Sequence, residues 1–174
     1  MMGSGKTTVG RRVARRLDRP FRDADEELEA RSGRTVREWF ELEGEVAFRD
    51  AEAATLAALL DSEEPLVIAA GGGVVIRPEN RAALARALVV WLDGDPAFLA
   101  SRVAQREHRP LIDDDPSAAI HRLHAERADW YRAVADEVVE ITPVHLASDK
   151  PKRDLADIVV GLVRTREAAA GSAR

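Results

Sequence analysis

The chain opens on a glycine-rich stretch, Met1-Met2-Gly3-Ser4-Gly5-Lys6-Thr7. It fits the last seven positions of G-x-x-x-x-G-K-[ST], a loop whose backbone N–H groups wrap around nucleotide phosphates. In such a loop Gly3 and Gly5 supply a permissive backbone. Lys6 reaches the β- and γ-phosphates, and the Thr7 hydroxyl holds Mg²⁺. Ser4 and Thr8 belong to the same nucleotide contact surface. The run from Thr8 to Leu17 is amphipathic at helical spacing. A helix from Lys6 to Leu17 is therefore predicted, with its N-terminus and favourable dipole facing the phosphates. The motif's leading glycine and its feeding strand are expected upstream of residue 1, so that Met1 and Met2 sit inside the loop.

Short apolar runs then alternate with longer amphipathic ones. Strands are predicted at 20–23, 66–69, 88–92 and 138–141. Helices are predicted at 25–31, from the capping box Thr35/Glu38, and at 43–60, 78–87, 95–106, 118–135 and 152–163. Residues 107–117 are polar, acidic and Pro-punctuated and read as a mobile loop, and 166–174 reads as a disordered tail. Strands alternating with helices imply an α/β fold with a parallel sheet covered on both faces. One domain spanning 1–165 is expected.

Composition narrows the function classes. The net charge is −5, so no nucleic-acid partner is expected. The absence of cysteine excludes disulfides and thiolate metal sites. No apolar run approaches a membrane-spanning length, so no membrane partner is expected and a cytoplasmic location is the default. The four histidines lack metal-ligand spacing and are expected at the surface, and the three tryptophans are expected to pack.

Asp23-Ala24-Asp25 follows a short strand, where alternate side chains share a face. Open α/β sheets bind ligands beyond the carboxyl ends of their strands. Two acids there suit Mg²⁺-bound water and a substrate hydroxyl, and helix capping by Asp25 explains them equally well. Gly71-Gly72-Gly73 costs backbone entropy that a plain turn does not need, which points to close approach of a ligand, a bulge being the alternative. Arg49 with Glu52, Arg109 and Arg127 read singly as solvated charges.

Their order is more specific. Residues 2–10, Asp23-Ala24-Asp25, residues 44–49 ending in Phe48-Arg49, residues 71–75, Arg109-Pro110-Leu111 and Arg127 to Tyr131 together resemble the shikimate kinase family. The resemblance covers about residues 2 to 163. It implies a P-loop NTPase-type parallel sheet in the order 2-3-1-4-5, flanked by helices, whose first strand is not part of this chain. It also implies transfer of the γ-phosphate of ATP, with Mg²⁺, to the 3-hydroxyl of shikimate on the way to chorismate and the aromatic amino acids.

Carried over by motif, Gly3 to Thr8 bind nucleotide, Lys6 clamps the phosphates, and Thr7 and Asp23 serve the metal. Asp25 binds the shikimate hydroxyls and takes the proton. Arg49 and Arg127 grip the carboxylate, Glu52 orients Arg49, and Gly71, Gly72 and Gly73 offer backbone N–H groups. Phe40 and Phe48 wall the ring. Arg102 stacks on adenine, and Arg109 acts from a lid at 107–117, with substrate-binding helices at about 25–60. The adenine segment after the last strand is longer than the family pattern, with Ser148 to Pro151 as its candidate turn. A monomer is expected. The alternatives are a P-loop kinase for another polyol acid such as gluconate, which Phe48-Arg49 and the triple glycine disfavour, and a truncated, non-catalytic remnant.

Overall fold

Helix α1 (Lys6–Leu17) starts at the glycine loop and stops at Asp18, whose left-handed backbone (φ 53°) returns its N–H to Ala14. Asp is among the few L-residues that visit this conformation readily. A computed structural model describes residues 1–104 and 115–172. After α1 come β1 (Phe21–Asp23) and α2 (Ala24–Ser32), which closes on left-handed Gly33. The short helix α3 (Val36–Glu38) begins with the capping box read from the sequence. Thr35 accepts from the Glu38 N–H, and the Glu38 carboxylate accepts from the Thr35 N–H. A π-helical turn (Trp39–Glu43) leads into α4 (Gly44–Leu60).

The second half runs β2 (Val67–Ala69), α5 (Pro78–Leu84), β3 (Val90–Asp93) and α6 (Pro96–Ala104). It continues with α7 (Pro116–Val134), β4 (Glu137–Glu140), α8 (Ile141–Ala147) and α9 (Pro151–Ser172). Both strand pairings are parallel: β1 beside β2, with Asp23 opposite Ala69, and β3 beside β4, with Asp93 opposite Glu140. Side chains from α1, α4, α6, α7, α8 and α9 fill the core, with Leu56, Leu99, Ile120, Ile141 and Leu155 fully buried.

The expected single sheet is not formed. Among the described residues no strand joins β2 to β3, and the two pairs are separate two-stranded sheets. A cavity of about 540 Å³ lies between them, bordered by Val67 to Ala70 on one side and Val89 to Leu92 on the other. Val13, Leu56, Leu84 and Val163 also line it. Val67 donates to Pro20, and Val89 accepts from Glu137. Backbone groups alternate in direction along a strand, so those of Ile68, Val90 and Leu92 are directed at the cavity.

Three other expectations need correction. The last strand ends at Glu140, and fully buried Ile141 opens α8, which accounts for the extra length before the polar turn at Ser148. The tail expected at 166–174 is helical through Ser172. Alanine is the best helix former, and α9 is tied down by Arg166 to Glu137 at 3.1 Å and Arg19 to Glu167 at 2.5 Å. Helix α7 begins inside the segment read as a lid, with Asp115 accepting from the Ala118 N–H at 3.0 Å. Residues 105–114, Arg109 among them, lie outside the described residues. Among the described residues no helix is long and apolar enough to cross a membrane.

Candidate functional site

The glycines at the head of α1 are positioned by geometry that other residues resist. Gly3 and Gly5 have φ of 77° and 86°. A side-chain carbon on Gly3 would stand 2.8 Å from the Leu99 carbonyl oxygen. Gly5 caps α1 without a side-chain bond, and the first turn carries no acidic residue. The leading N–H groups and the positive end of the dipole are therefore left for an anion. The loop is drawn tight by Ser4 Oγ and Lys6 Nζ, which donate to the Met1 carbonyl at 2.9 and 2.8 Å. Thr8 is half-buried in the first turn. Arg102 reaches from α6 to within 3.7 Å of the position a Gly5 side chain would take, and its guanidinium lies 5.5 Å from the Phe98 ring.

Thr7 Oγ1 donates to Asp23 Oδ2 at 2.7 Å. Asp23 also caps α2, its Oδ1 accepting from the Asp25 N–H at 3.2 Å. The capping residue is thus Asp23 and not Asp25. The two acids do not share a strand face either, because β1 ends at Asp23 and Asp25 lies in the first turn of α2. The turn still brings Asp25 Oδ1 to 3.0 Å from the position a Gly71 side chain would take. Among the described residues no cluster of three or more His, Cys, Asp or Glu could hold a metal. One hydroxyl beside one carboxylate nevertheless fits Mg²⁺, which keeps most of its waters and takes few protein ligands.

The triple glycine is where the remaining candidates meet. Arg49 Nη1 would be 2.0 Å from a side-chain carbon on Gly73, so the guanidinium lies against bare backbone. It donates to Glu52 Oε2 at 2.8 Å, and both side chains are nearly buried, 11% and 6% exposed. Glu45 accepts from the same arginine at 3.3 Å. Phe40 and Phe48 pack together with ring centroids 4.5 Å apart, and the Arg49 guanidinium stands 5.1 Å from the Phe48 ring. From the opposite side, Arg127 Nη1 donates to the Gly72 carbonyl at 3.3 Å. Gly72 in turn abuts the phosphate loop, 3.6 Å separating Met1 Cα from the position its side chain would take. Two guanidiniums, a carboxylate and exposed backbone beside a phosphate loop can hold a small hydroxylated acid next to a nucleotide.

Sequence reasoning missed two contacts here. Tyr131 donates from its hydroxyl to the Gly72 carbonyl at 2.5 Å, and burial raises the phenol's pKa. Its spacing of four from Arg127 was the available signal, since such residues share a helix face. His124, expected at the surface, is half-buried with Nε2 3.0 Å from Asp93 Oδ1. Of the tryptophans, Trp91 is buried and stacked on Tyr131, whereas Trp130 is partly exposed beneath Arg81.

The family profile that matches this chain, over residues 2–151, is that of shikimate kinase. The shikimate kinase of Burkholderia pseudomallei (strain 1710b) is 51% identical over 142 residues, covering 80% of this chain and 77% of that protein. That of Nitrobacter winogradskyi is 45% identical over 168 residues, covering 95% and 75%. Among solved structures, the shikimate kinase of Acinetobacter baumannii in complex with shikimate superposes with a TM-score of 0.85 at 36% identity, covering 95% of this chain and 89% of that one. The enzyme of Bacteroides thetaiotaomicron gives 0.84 at 28% identity, covering 94% of each chain.

Proposed function

The chain belongs to the shikimate kinase family, and we propose that it transfers the γ-phosphoryl group of ATP to the 3-hydroxyl of shikimate. The products are 3-phosphoshikimate and ADP, in the route to chorismate and the aromatic amino acids. The observation that carries this reading is the meeting of Asp25, Arg49 and Arg127 on Gly71–Gly73, against the phosphate loop.

Arg49 and Arg127 take the substrate carboxylate, their planar forks matching its two oxygens. Glu52 holds Arg49 in place, and the Phe40–Phe48 pair forms an apolar floor. Asp25 accepts the proton of the attacking hydroxyl. The hydroxyl oxygen then bonds to the γ-phosphorus while the bond to the bridging β–γ oxygen breaks and ADP leaves. Lys6 and the N–H groups of residues 3–8 hold the phosphates, so the chain's contribution is alignment and charge neutralisation. Thr7 and Asp23 would hold Mg²⁺, which when bound neutralises charge on the phosphate oxygens. Arg102 lines the base, and Arg109 is assigned by its motif to the charge on the transferred group.

The same reading assigns β1, β2, β3 and β4 to positions 2, 3, 4 and 5 of a 2-3-1-4-5 sheet. What supports this reading is that β1 pairs with β2 and β3 with β4, both in parallel. A monomer suffices, because all these residues come from one chain. The test is ADP release with Mg·ATP and shikimate, quinate or gluconate. Turnover with shikimate well above the other acceptors is expected, and equal turnover of gluconate overturns the assignment.

A further inference from the structure

The three carbonyls of the triple glycine are held in two different ways. Gly71 accepts from the Val74 N–H at 3.3 Å and Gly73 from the Ile76 N–H at 2.9 Å, both inside the local turn. Gly72 alone among the three is held from a distant element, by the Tyr131 hydroxyl at 2.5 Å and Arg127 at 3.3 Å, both on α7. The chain has no cis peptide among the described residues. In a planar trans peptide the N–H of one residue points opposite to the carbonyl before it. Drawing the Gly72 carbonyl toward α7 therefore turns the Gly73 N–H away from α7. Among the described residues no acceptor takes that N–H. Gly73 is also the glycine against which Arg49 lies.

We propose that Tyr131 is a positioning residue: its hydroxyl fixes the plane of the Gly72–Gly73 peptide so that the Gly73 N–H is presented to an oxygen of the substrate. The phenol suits this task better than Arg127. The arginine bond is the longer of the two, and a guanidinium that turns to a substrate carboxylate leaves the Gly72 carbonyl. Tyr131 is then its remaining described donor. The ring cannot turn away, because it is 6% exposed and stacked on Trp91 at 5.4 Å between centroids, 28° from parallel. Burial keeps the phenol protonated and hence a donor.

The identity of the ligand rests on the functional reading above, but the peptide's orientation does not. The test is Tyr131→Phe, which keeps the ring and its stack and removes only the hydroxyl. In the ligand-free protein the Gly73 amide resonance and its exchange rate should change while those of Gly71 stay put. Unchanged Gly73 signals overturn the proposal whatever reaction the protein catalyses. In steady-state kinetics the KM for shikimate should rise about three- to tenfold, the worth of one hydrogen bond, with kcat and the KM for ATP nearly unchanged. A parallel loss in all three parameters together with a lowered melting point marks Tyr131 as merely structural and also overturns it. Failure of the unaltered protein to phosphorylate shikimate strikes the functional reading, and the amide measurement then decides the role of Tyr131 by itself.

Discussion

Around the triple glycine, charged and polar groups find partners at short range: Arg49 with Glu52, Thr7 with Asp23, and Tyr131 and Arg127 with the Gly72 carbonyl. Between β2 and β3 the situation is reversed. There the backbone groups of Ile68, Val90 and Leu92 face an apolar cavity of about 540 Å³. The site is assembled by helix ends, a turn and side chains from α2, α4 and α7, none of which needs a ladder bond across the sheet centre. The two regions share Met1, Lys6, Gly71, Gly72 and Tyr131, which also line the cavity, but Asp25, Arg49, Glu52 and Arg127 lie outside its lining, so the site can be changed at these four positions without touching the sheet centre.

The sharpest test of that separation is to change the site at the acid proposed to take the proton. Asp25→Asn removes a proton acceptor but leaves Asp23 as the cap of α2. Turnover should fall about 10²- to 10⁴-fold, the usual worth of a general base, with the melting point and ATP binding preserved. Turnover near that of the unaltered protein would leave Asp25 no catalytic part.

Arg49 couples site and core more tightly. Arg49→Ala leaves the Glu52 carboxylate buried without its cation, which should cost about 3 kcal/mol in denaturant unfolding as well as most shikimate affinity. The double change Arg49→Met with Glu52→Leu should recover the stability but not the affinity. Normal shikimate binding by the double variant would show that Arg49 is not a carboxylate ligand.

The sheet centre is tested by amide hydrogen exchange. The Ile68 and Val90 amides, directed at the cavity, should exchange at least about tenfold faster than those of Val67 and Trp91, which face neighbouring strands. Equal protection would mean that the two half-sheets close on each other in solution.

What the sequence revealed follows the range of the interactions involved. The capping box at Thr35 and Glu38 and the glycine loop are written in contiguous residues, and both have the geometry read from them. Within Asp23-Ala24-Asp25 the cap is Asp23 instead of Asp25 and the two acids share no strand face, because β1 is only three residues long and the second acid falls on a helix. Helix α8 was hidden by the apolar run Val138-Val139-Glu140-Ile141, in which a strand passes into a helix without a break. The helical end of α9 was obscured by its alanine-rich composition, and ion pairs to Arg19 and Glu137 anchor it from far away in sequence. Tyr131 bonds a carbonyl 59 residues distant, and the only local hint of it is its shared helix face with Arg127. The parallel pairings of β1 with β2 and β3 with β4 fit the α/β class read from alternating strands and helices, whereas among the described residues nothing joins the two pairs into one sheet.

The smallest effect is expected at the start of α3, on the arm that carries Arg49 and Phe48. Thr35 Oγ1 accepts from the Glu38 N–H at 3.2 Å, and Glu38 Oε2 accepts from the Thr35 N–H at 2.7 Å. These bonds are exposed and local, so Thr35→Ala should cost about 1 kcal/mol. For a chain of this length that lowers the melting temperature by about 2–4 °C. The backbone N–H of Thr35 holds the Glu38 carboxyl below its ordinary pKa, followed by the hydroxyl bond between the same two residues. A depressed folded-state pKa means that the unfolded chain binds the proton more readily. The carboxylate's contribution is therefore complete above the ordinary range and is lost as pH falls through the depressed value. The difference between Thr35→Ala and the unaltered protein should accordingly shrink in acid. Because the arm and the sheet centre are separable, exchange at Ile68 and Val90 should not respond to this change, while the KM for shikimate rises slightly. A change in exchange at the sheet centre would show that loosening the arm is felt across β2, and the two regions would have to be treated as one cooperative unit.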